Sequence, residues 1–324
     1  MFVVGAAALA ACSSSPEHAV DAPTSAWRLG PVMPRAARDP GVALLGQQVI
    51  VAGGFDASGQ LTTRVDAFDI AEAGWRSLPD APVAWASSNL AVIGATLYLA
   101  GGLDGTGAHG ETFLLEPVDK AWQSVQAIDP AAARGAAGVV SVPGRIFLLG
   151  GASSTGVVDT CLQYDIIADC WTPLPPLPVA RAHPAAMRTV DGTLIVAGGF
   201  ASLDSSAPLG DVWALPPLAS AWQPRTPMHV AGDGDLRGGC AYGVVLGELV
   251  CAGGAAGPDG RAAVDGYDPY TDVWTPHEPM PIAHTGTPGV AAGARLFVPG
   301  GSATLGGAAT DTLYIYAPLD TAPR

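Results

Sequence analysis

The sequence is poor in charged residues. They make up 14% of its 324 positions, and of the fifteen basic residues only Lys120 is a lysine. The 29 acidic residues give a net charge of −14, which disfavours nucleic acid and anionic membrane surfaces as partners. Disorder is disfavoured as well, because disordered chains combine high charge with few apolar residues and this chain is 49% hydrophobic.

The apolar run at the start of the chain, MFVVGAAALA, is too short to span a bilayer, which needs about 20 residues. An apolar run followed by small residues predicts an export signal. Leu9-Ala10-Ala11-Cys12 resembles the lipobox of bacterial lipoproteins. The resemblance implies a signal peptide over residues 1–11, a lipid on Cys12 and a flexible tether over 12–26. Ser13 after the cysteine favours, by the same analogy, an outer-membrane lipoprotein of the cell envelope.

Cysteine is scarce, with five residues in all. If Cys12 carries lipid, an even number remains, which in an exported protein permits two disulfides. The candidate pairs are Cys161 with Cys170 and Cys240 with Cys251. The alternative is that these four side chains are small buried hydrophobic residues. The sequence leaves both possibilities open.

Motifs of the common enzyme classes are missing. The sequence contains no G-x-S-x-G, no histidine pair with metal-ligand spacing and no P-loop. We therefore expect no metal and no cofactor, and no catalytic residue can be assigned.

A repeated pattern takes the place of these motifs. An apolar strand ends in a glycine pair six times, and the first glycines are Gly53, Gly101, Gly150, Gly198, Gly253 and Gly300. Their spacing is 48, 49, 48, 55 and 47 residues. A second strand follows each pair, often with an aromatic residue, as at Phe68, Tyr164, Tyr267 and Tyr316. A tryptophan comes next after five of the pairs, at Trp75, Trp122, Trp171, Trp222 and Trp274.

This combination resembles the kelch repeat, in which each unit is one four-stranded blade of a β-propeller. The resemblance covers residues 27 to about 318. It implies an all-β, six-bladed β-propeller over residues 27–324, with the glycines and aromatic residues in structural roles.

Ring closure is predicted by a tryptophan that no glycine pair precedes. Trp27 lies 26 residues before Gly53, the same distance that separates Trp75 from Gly101. The segment around Trp27 is therefore expected to be the outer strand of the last blade, next to TLYIYAP, which closes the ring and removes open sheet edges.

Function in propellers resides in loops at one face. Counting back about sixteen residues from each glycine pair predicts a ring of ligand-binding side chains around the channel mouth, namely Arg38, Trp85, Arg134, Arg181, Arg237 and His284. The facing loops carry Asp56, Asp104, Ser153, Asp204, Asp259 and Ser302. Arginine donors suit carboxylates, acidic sugars or acidic peptides. The alternative is that these arginines pair with the aspartates and fix the loops.

The sequence thus predicts a monomeric, lipid-anchored, extracytoplasmic kelch propeller. Its predicted function is a non-catalytic binding module for a protein or an acidic carbohydrate. One alternative is an enzyme similar to the exported kelch proteins that interconvert sialic acid anomers, a sugar epimerase or mutarotase. Another is a purely structural lipoprotein of the envelope.

Overall fold

The computed structural model describes residues 25–116, 118, 120–228 and 236–319. These residues form 24 strands in six four-stranded antiparallel sheets, or blades, arranged in a ring. The prediction of an all-β, six-bladed propeller is therefore confirmed. Within the same ranges, no helix is long and apolar enough to cross a membrane.

The first three blades follow one another directly along the chain. Blade 1 contains β2 (Gly41–Leu45), β3 (Gln48–Ala52), β4 (Val65–Asp69) and β5 (Gly74–Leu78). Blade 2 contains β6 (Leu90–Ile93), β7 (Thr96–Asp104), β8 (Gly107–Leu115) and β9 (Trp122–Val125). Blade 3 contains β10 (Gly138–Val142), β11 (Arg145–Leu149), β12 (Cys161–Asp165) and β13 (Cys170–Leu174), preceded by a 3-10 turn at Pro130–Ala132.

The other three blades repeat this order, and the last takes its outer strand from the start of the chain. Blade 4 contains β14 (Ala185–Arg188), β15 (Leu194–Ala197), β16 (Val212–Leu215) and β17 (Gln223–Arg225). Blade 5 contains β18 (Ala241–Val245), β19 (Glu248–Ala252), β20 (Val264–Asp268) and β21 (Val273–Pro276). Blade 6 contains β22 (Val290–Ala292), β23 (Arg295–Pro299), β24 (Leu313–Tyr316) and β1 (Trp27–Leu29).

The hydrophobic core lies between the blades. Six clusters of buried side chains each combine residues of two neighbouring blades, as where Ile50 of blade 1 joins Leu97 of blade 2. A twisted sheet with two apolar faces can bury them only against its neighbours. The continuously apolar second strands, such as β3 and β11, are therefore covered on both faces only when each blade has a neighbour on either side, as it has in a closed ring.

The repeated aromatic residues form the same pair in four blades. The ring centroids of Phe68 and Trp75 are 5.2 Å apart, and those of Tyr164 and Trp171 are 4.9 Å apart. The matching pairs of blades 5 and 6 are 5.1 and 5.0 Å apart. These distances suit tilted aromatic packing, so the structural role expected of these residues agrees with their geometry.

Each of the six repeat tryptophans also ties its blade to the preceding one. The Nε1–H of Trp75 donates to the carbonyl of Pro31, 3.1 Å away, just after the outer strand of blade 6. The corresponding bonds of the other five tryptophans are 2.9 to 3.1 Å long. The indole thus supplies both packing area and a directional contact between blades.

The first position of each glycine pair must be glycine because a backbone carbonyl of a neighbouring blade lies against it. Gly53 has a φ of +64°, and a Cβ there would lie 2.5 Å from the carbonyl oxygen of Trp85 in blade 2. Gly300 repeats this geometry against the carbonyl of Ala37, at 2.3 Å. Any side chain would clash and force the blades apart.

The ring closes as predicted. In blade 6, Trp27 is paired with Tyr316 and Leu29 with Tyr314 in antiparallel register. Trp27 is 6% exposed, and its indole donates to the carbonyl of Glu278 at 3.0 Å.

The two cysteine pairs differ. Cys240 and Cys251 form a disulfide with their Cα atoms 5.5 Å apart, at the start of the β18–β19 hairpin. Cys161 and Cys170 are free thiols. They lie at opposite ends of the β12–β13 hairpin, opposite Leu174 and Asp165, so that this register keeps them out of bonding distance.

We expect Trp27→Ala to lower the free energy of unfolding by about 3–5 kcal/mol, because the change removes a buried indole at the closure of the ring. Arg28→Ala is the matched control, since Arg28 is the next residue of β1 and is exposed. Urea denaturation monitored by fluorescence measures both. Equal effects of the two substitutions would show that β1 does not hold the ring closed.

Candidate binding site at the channel mouth

The axis of the ring is a channel with a volume of about 380 Å³. Its lining comes from the innermost strand of every blade and from the residues just before that strand. An innermost strand pairs with a neighbour on one side only, so its other edge of backbone N–H and C=O groups faces the channel. Tyr242 of blade 5 satisfies one such group, because its hydroxyl accepts a hydrogen bond from the N–H of Val139 in blade 3, 3.2 Å away.

A ring of backbone hydrogen bonds surrounds one end of this channel. We call it the mouth ring, and its six members, one from each blade, are Asp39, Ser87, Ala136, His183, Gly239 and Gly286. Five successive members donate their N–H to the carbonyl of the member in the preceding blade, over 2.7 to 3.0 Å. Asp39 donates to Gly286 and so crosses the closure of the ring.

All six members of the mouth ring have a positive φ. The angle is 53° at Asp39, 49° at Ser87, 54° at Ala136 and 51° at His183. This left-handed conformation costs an ordinary residue roughly 1–2 kcal/mol. Non-glycine residues therefore adopt it here because the contacts around the ring outweigh that cost.

Two ionisable side chains line the channel at the mouth. Asp39 belongs to blade 1 and His183 to blade 4, which lie opposite each other in a ring of six. Both residues are half-buried. One carboxylate oxygen of Asp39 accepts a hydrogen bond from Nη1 of Arg38 at 2.9 Å, and the Arg38 guanidinium lies 4.3 Å from the centre of the Phe55 ring.

The channel shifts the pKa of both groups. Burial raises the pKa of the Asp39 carboxyl above its ordinary 3.8, against the opposing effects of His183 and Arg38. Burial lowers the pKa of the His183 imidazole below its ordinary 6.5, against the opposing charge of Asp39. The histidine is therefore neutral at physiological pH and offers a ring nitrogen as a hydrogen-bond acceptor.

The predicted ring of arginine donors is wrong for Arg134, Arg181 and Arg237. Each of these residues is at most 1% exposed, because its side chain runs into its own blade. Arg134 donates to the carbonyls of Gly150 and Thr160, at 3.0 and 2.7 Å. Burial lowers the pKa of Arg134 to about 10, so the group keeps its charge at neutral pH.

The arginines of the next two blades have carboxylate partners inside the blade. Arg181 bonds the carbonyl of Gly198 at 2.9 Å and the carboxylate of Asp211 at 2.6 Å. Arg237 pairs with Asp265, and both side chains are buried. These arginines connect the entry of a blade to its second and third strands. The aspartates that hold them follow the loops and are not the loop aspartates that the sequence suggested as partners.

His284 and Trp85 are also withdrawn from the channel. His284 is 1% exposed and packs edge-on against Tyr314, with ring centroids 5.5 Å apart. Burial lowers the pKa of His284 to about 4. Trp85 is 4% exposed and stacks on His109 at 5.0 Å. The prediction that these two side chains face the channel is therefore wrong, because both rings pack against aromatic side chains of the blades.

Arg38 lies at the mouth because the repeat is offset by one residue in blade 1. The carbonyl that approaches the first glycine comes from Ala37 in blade 1 and from Arg134 or Arg181 in blades 3 and 4. In blade 1, Ala37 therefore stands at the repeat position that a buried arginine occupies in blades 3 and 4. The guanidinium of Arg35 takes the place of that arginine's guanidinium, and it donates to the carbonyl of Gly53 at 3.1 Å and to Asp66 at 2.9 Å.

The facing loops lie on the same face as the mouth ring. Six isolated bridges join the residue before each ring member to the residue after each glycine pair, as between Arg38 and Phe55.

Asp56 and Asp204 accept hydrogen bonds from backbone N–H groups of their own loops, at 2.8 to 3.0 Å. Asp104 does the same and also pairs with His109 at 2.9 Å. Local hydrogen bonds lower the pKa of Asp56, and those of Asp104 and Asp204 to about 2.

Asp39 and His183 are site residues that the repeat pattern did not single out. Two features nevertheless mark both residues. Each lies two positions after the residue whose carbonyl approaches the first glycine of a neighbouring blade, and each is followed by a proline. Cys12, the predicted lipidation site, lies outside the described residues.

A kelch motif matches residues 133–178, which span all four strands of blade 3. Kelch-like protein terF of Aspergillus terreus is 25% identical over 223 residues, which cover 65% of this chain and 47% of that protein. Kelch-like protein 35 of Homo sapiens is 29% identical over 168 residues, covering 51% and 27%. The chain therefore spans less than half the length of these curated relatives.

The fold is also that of a solved structure. The structure of YjhT superposes with a TM-score of 0.77 at 16% identity, covering 90% of this chain and 98% of that one. At this level of identity the likeness establishes the architecture of the ring.

We expect Arg237→Ala to lower the free energy of unfolding by about 3–5 kcal/mol, because it leaves the carboxylate of Asp265 buried without its partner. Arg145→Ala is the matched control, because the Arg145 guanidinium is half-exposed beside Asp165 and its loss should cost no more than about 1 kcal/mol. Urea denaturation of both variants makes the comparison. A fully stable R237A would contradict the buried pairing of Arg237 with Asp265.

Proposed function

Because this chain is a kelch-repeat β-propeller with six blades, we propose that it is a non-catalytic binding module that holds a protein partner at the mouth of its channel. Kelch propellers generally mediate protein interactions. The observation that carries the proposal is the channel itself. Its mouth joins a cavity of about 380 Å³ to loops from all six blades, and it presents Asp39 and His183 from opposite walls.

The mouth face is suited to a protein partner because its framework is rigid and its loops vary. The mouth ring and the bridges behind it hold the loop bases in place. The loops themselves differ in sequence and length from blade to blade, as the extended β7–β8 hairpin of blade 2 shows. Contact residues placed on loops over a rigid scaffold are the usual arrangement in binding proteins.

The second ligand class expected from the sequence, an acidic carbohydrate, has less support. That expectation depended on guanidinium groups open to the channel. Arg134, Arg181 and Arg237 donate instead to carbonyls and carboxylates within their own blades. A protein partner is thus the ligand class that we propose.

We also propose that the module works outside the cytoplasm and is held to the outer membrane by a lipid on Cys12. The support comes from the sequence, namely the apolar run followed by Leu-Ala-Ala-Cys. In this proposal residues 13–24 separate the lipid from the propeller, to which Ser25 and Ala26 are already bonded through Glu278.

We expect Cys12→Ser to release the protein from membranes or to leave its signal uncut, because the substitution removes the thiol that would carry the lipid. Fractionation of the producing cells and mass spectrometry of the mature chain measure this. Wild-type membrane association and mass in the variant would contradict the anchor.

For the mouth itself, we expect Ser87→Trp to abolish capture of the partner, since Ser87 is a half-buried member of the mouth ring and an indole there obstructs the entrance. Ser124→Trp is the matched control, because Ser124 is exposed on the outer strand β9. The immobilised proteins are incubated with extract of the producing cells, and captured proteins are identified and then tested as purified pairs.

The expected result is a protein that binds the wild type and S124W directly and fails to bind S87W. Melting curves of both variants confirm that each is folded. If all three proteins bind the same set of partners, the mouth is not the binding site and the proposal is wrong.

A further inference from the structure

The arginines predicted at the mouth suggest a positively charged face, but the facing loops of that face expose carboxylates. Three of the arginines expected there are buried and bonded within their blades. Arg35 and Arg38 are bonded to Asp66 and Asp39. The guanidinium groups of these five arginines are thus bonded to acceptors of the protein itself.

Carboxylates remain at the surface of the same face. Asp204 and Asp259 are exposed, and Asp56 and Asp104 are half-exposed. The hydrogen bonds that lower the pKa of Asp56, Asp104 and Asp204 come from their own loops, so these groups stay ionised at any physiological pH. They surround the entrance on blades 1, 2, 4 and 5 and add to a net charge of −14. Such a field attracts cations to the entrance.

The channel wall adds polar groups that suit a positively charged donor. Asp39 provides a carboxylate oxygen, and the neutral imidazole of His183 faces it from the opposite blade.

We propose that the partner presents a basic segment to the mouth, and that a lysine or arginine side chain of this segment enters between Asp39 and His183. This inference rests on the proposed function and specifies its ligand. The loop carboxylates attract the segment, and the mouth ring positions its cationic head against the Asp39 carboxylate. Arg38 yields part of its own contact with Asp39 to the incoming group, and its stacking on Phe55 keeps it in place.

The test compares two short fluorescent Gly-Ser peptides of equal length, one carrying lysines and the other glutamates. Binding to the full chain is measured by fluorescence anisotropy at low and at physiological salt. Asp39→Asn removes the carboxylate at the mouth and keeps the shape of the side chain. Asp165→Asn is the matched control, because Asp165 ends β12 on the opposite face of the disc.

We expect the lysine peptide to bind the wild type and D165N alike, and D39N about ten- to a hundredfold more weakly, as for loss of a hydrogen bond to a charged group. The glutamate peptide should not bind. An equal affinity of D39N and D165N for the lysine peptide would attribute binding to overall charge and overturn the inference. Tight binding of the glutamate peptide would overturn it as well.

The two proposals fail separately. A partner captured by the wild type, lost with S87W and unaffected by D39N would support the mouth as a protein-binding site and reject the basic segment. A partner that binds S87W as well as it binds the wild type would reject the mouth itself.

Discussion

Each blade is tied to its neighbours by hydrogen bonds at three distances from the axis, and the rest of the structure depends on these bonds. Near the axis, the mouth ring joins successive blades. Further out, the second glycine of most pairs donates to a carbonyl of the next blade, as Gly54 does to Trp85 at 2.8 Å. At the rim, the six repeat tryptophans donate to the preceding blade. Apolar burial drives the blades together without direction, and these directional bonds fix their angle, so that six blades close the circle.

The repeat made most of the fold predictable from the sequence. A glycine pair marks a position where the backbones of two blades touch. The tryptophan in phase with it marks the position from which an indole reaches the preceding blade. Trp27 was predictable for the same reason, because a ring with an unpaired outer strand would leave a sheet edge exposed. The pairing of Trp27 with Tyr316 agrees with that argument. The cysteines were less predictable, since a shift of a few residues in register decides whether two thiols meet.

The candidate site was predicted poorly, because a residue type does not reveal the direction of its side chain. Arg134, Arg181 and Arg237 were placed at the correct end of the propeller by their spacing, and their guanidinium groups turn inward to carbonyls and carboxylates of the same blade. Blade 1 then fills that position with Arg35 while Arg38 faces the mouth, a one-residue offset hidden within the repeat. The left-handed backbone at Asp39 and His183 has no glycine to mark it.

The mouth ring also determines which electric field a ligand meets. Its five hydrogen bonds point in the same sense around the axis, so the peptide dipoles follow one another head to tail around most of a circle and largely cancel. A helix end, by contrast, aligns its dipoles and collects free N–H groups for an anion. Five of the six N–H groups of the mouth ring are already used, so the ring does not collect free donors for an anion. At the mouth the charge of Asp39 therefore contributes more to the field than the ring does, and a substitution of Asp39 is enough to change that field.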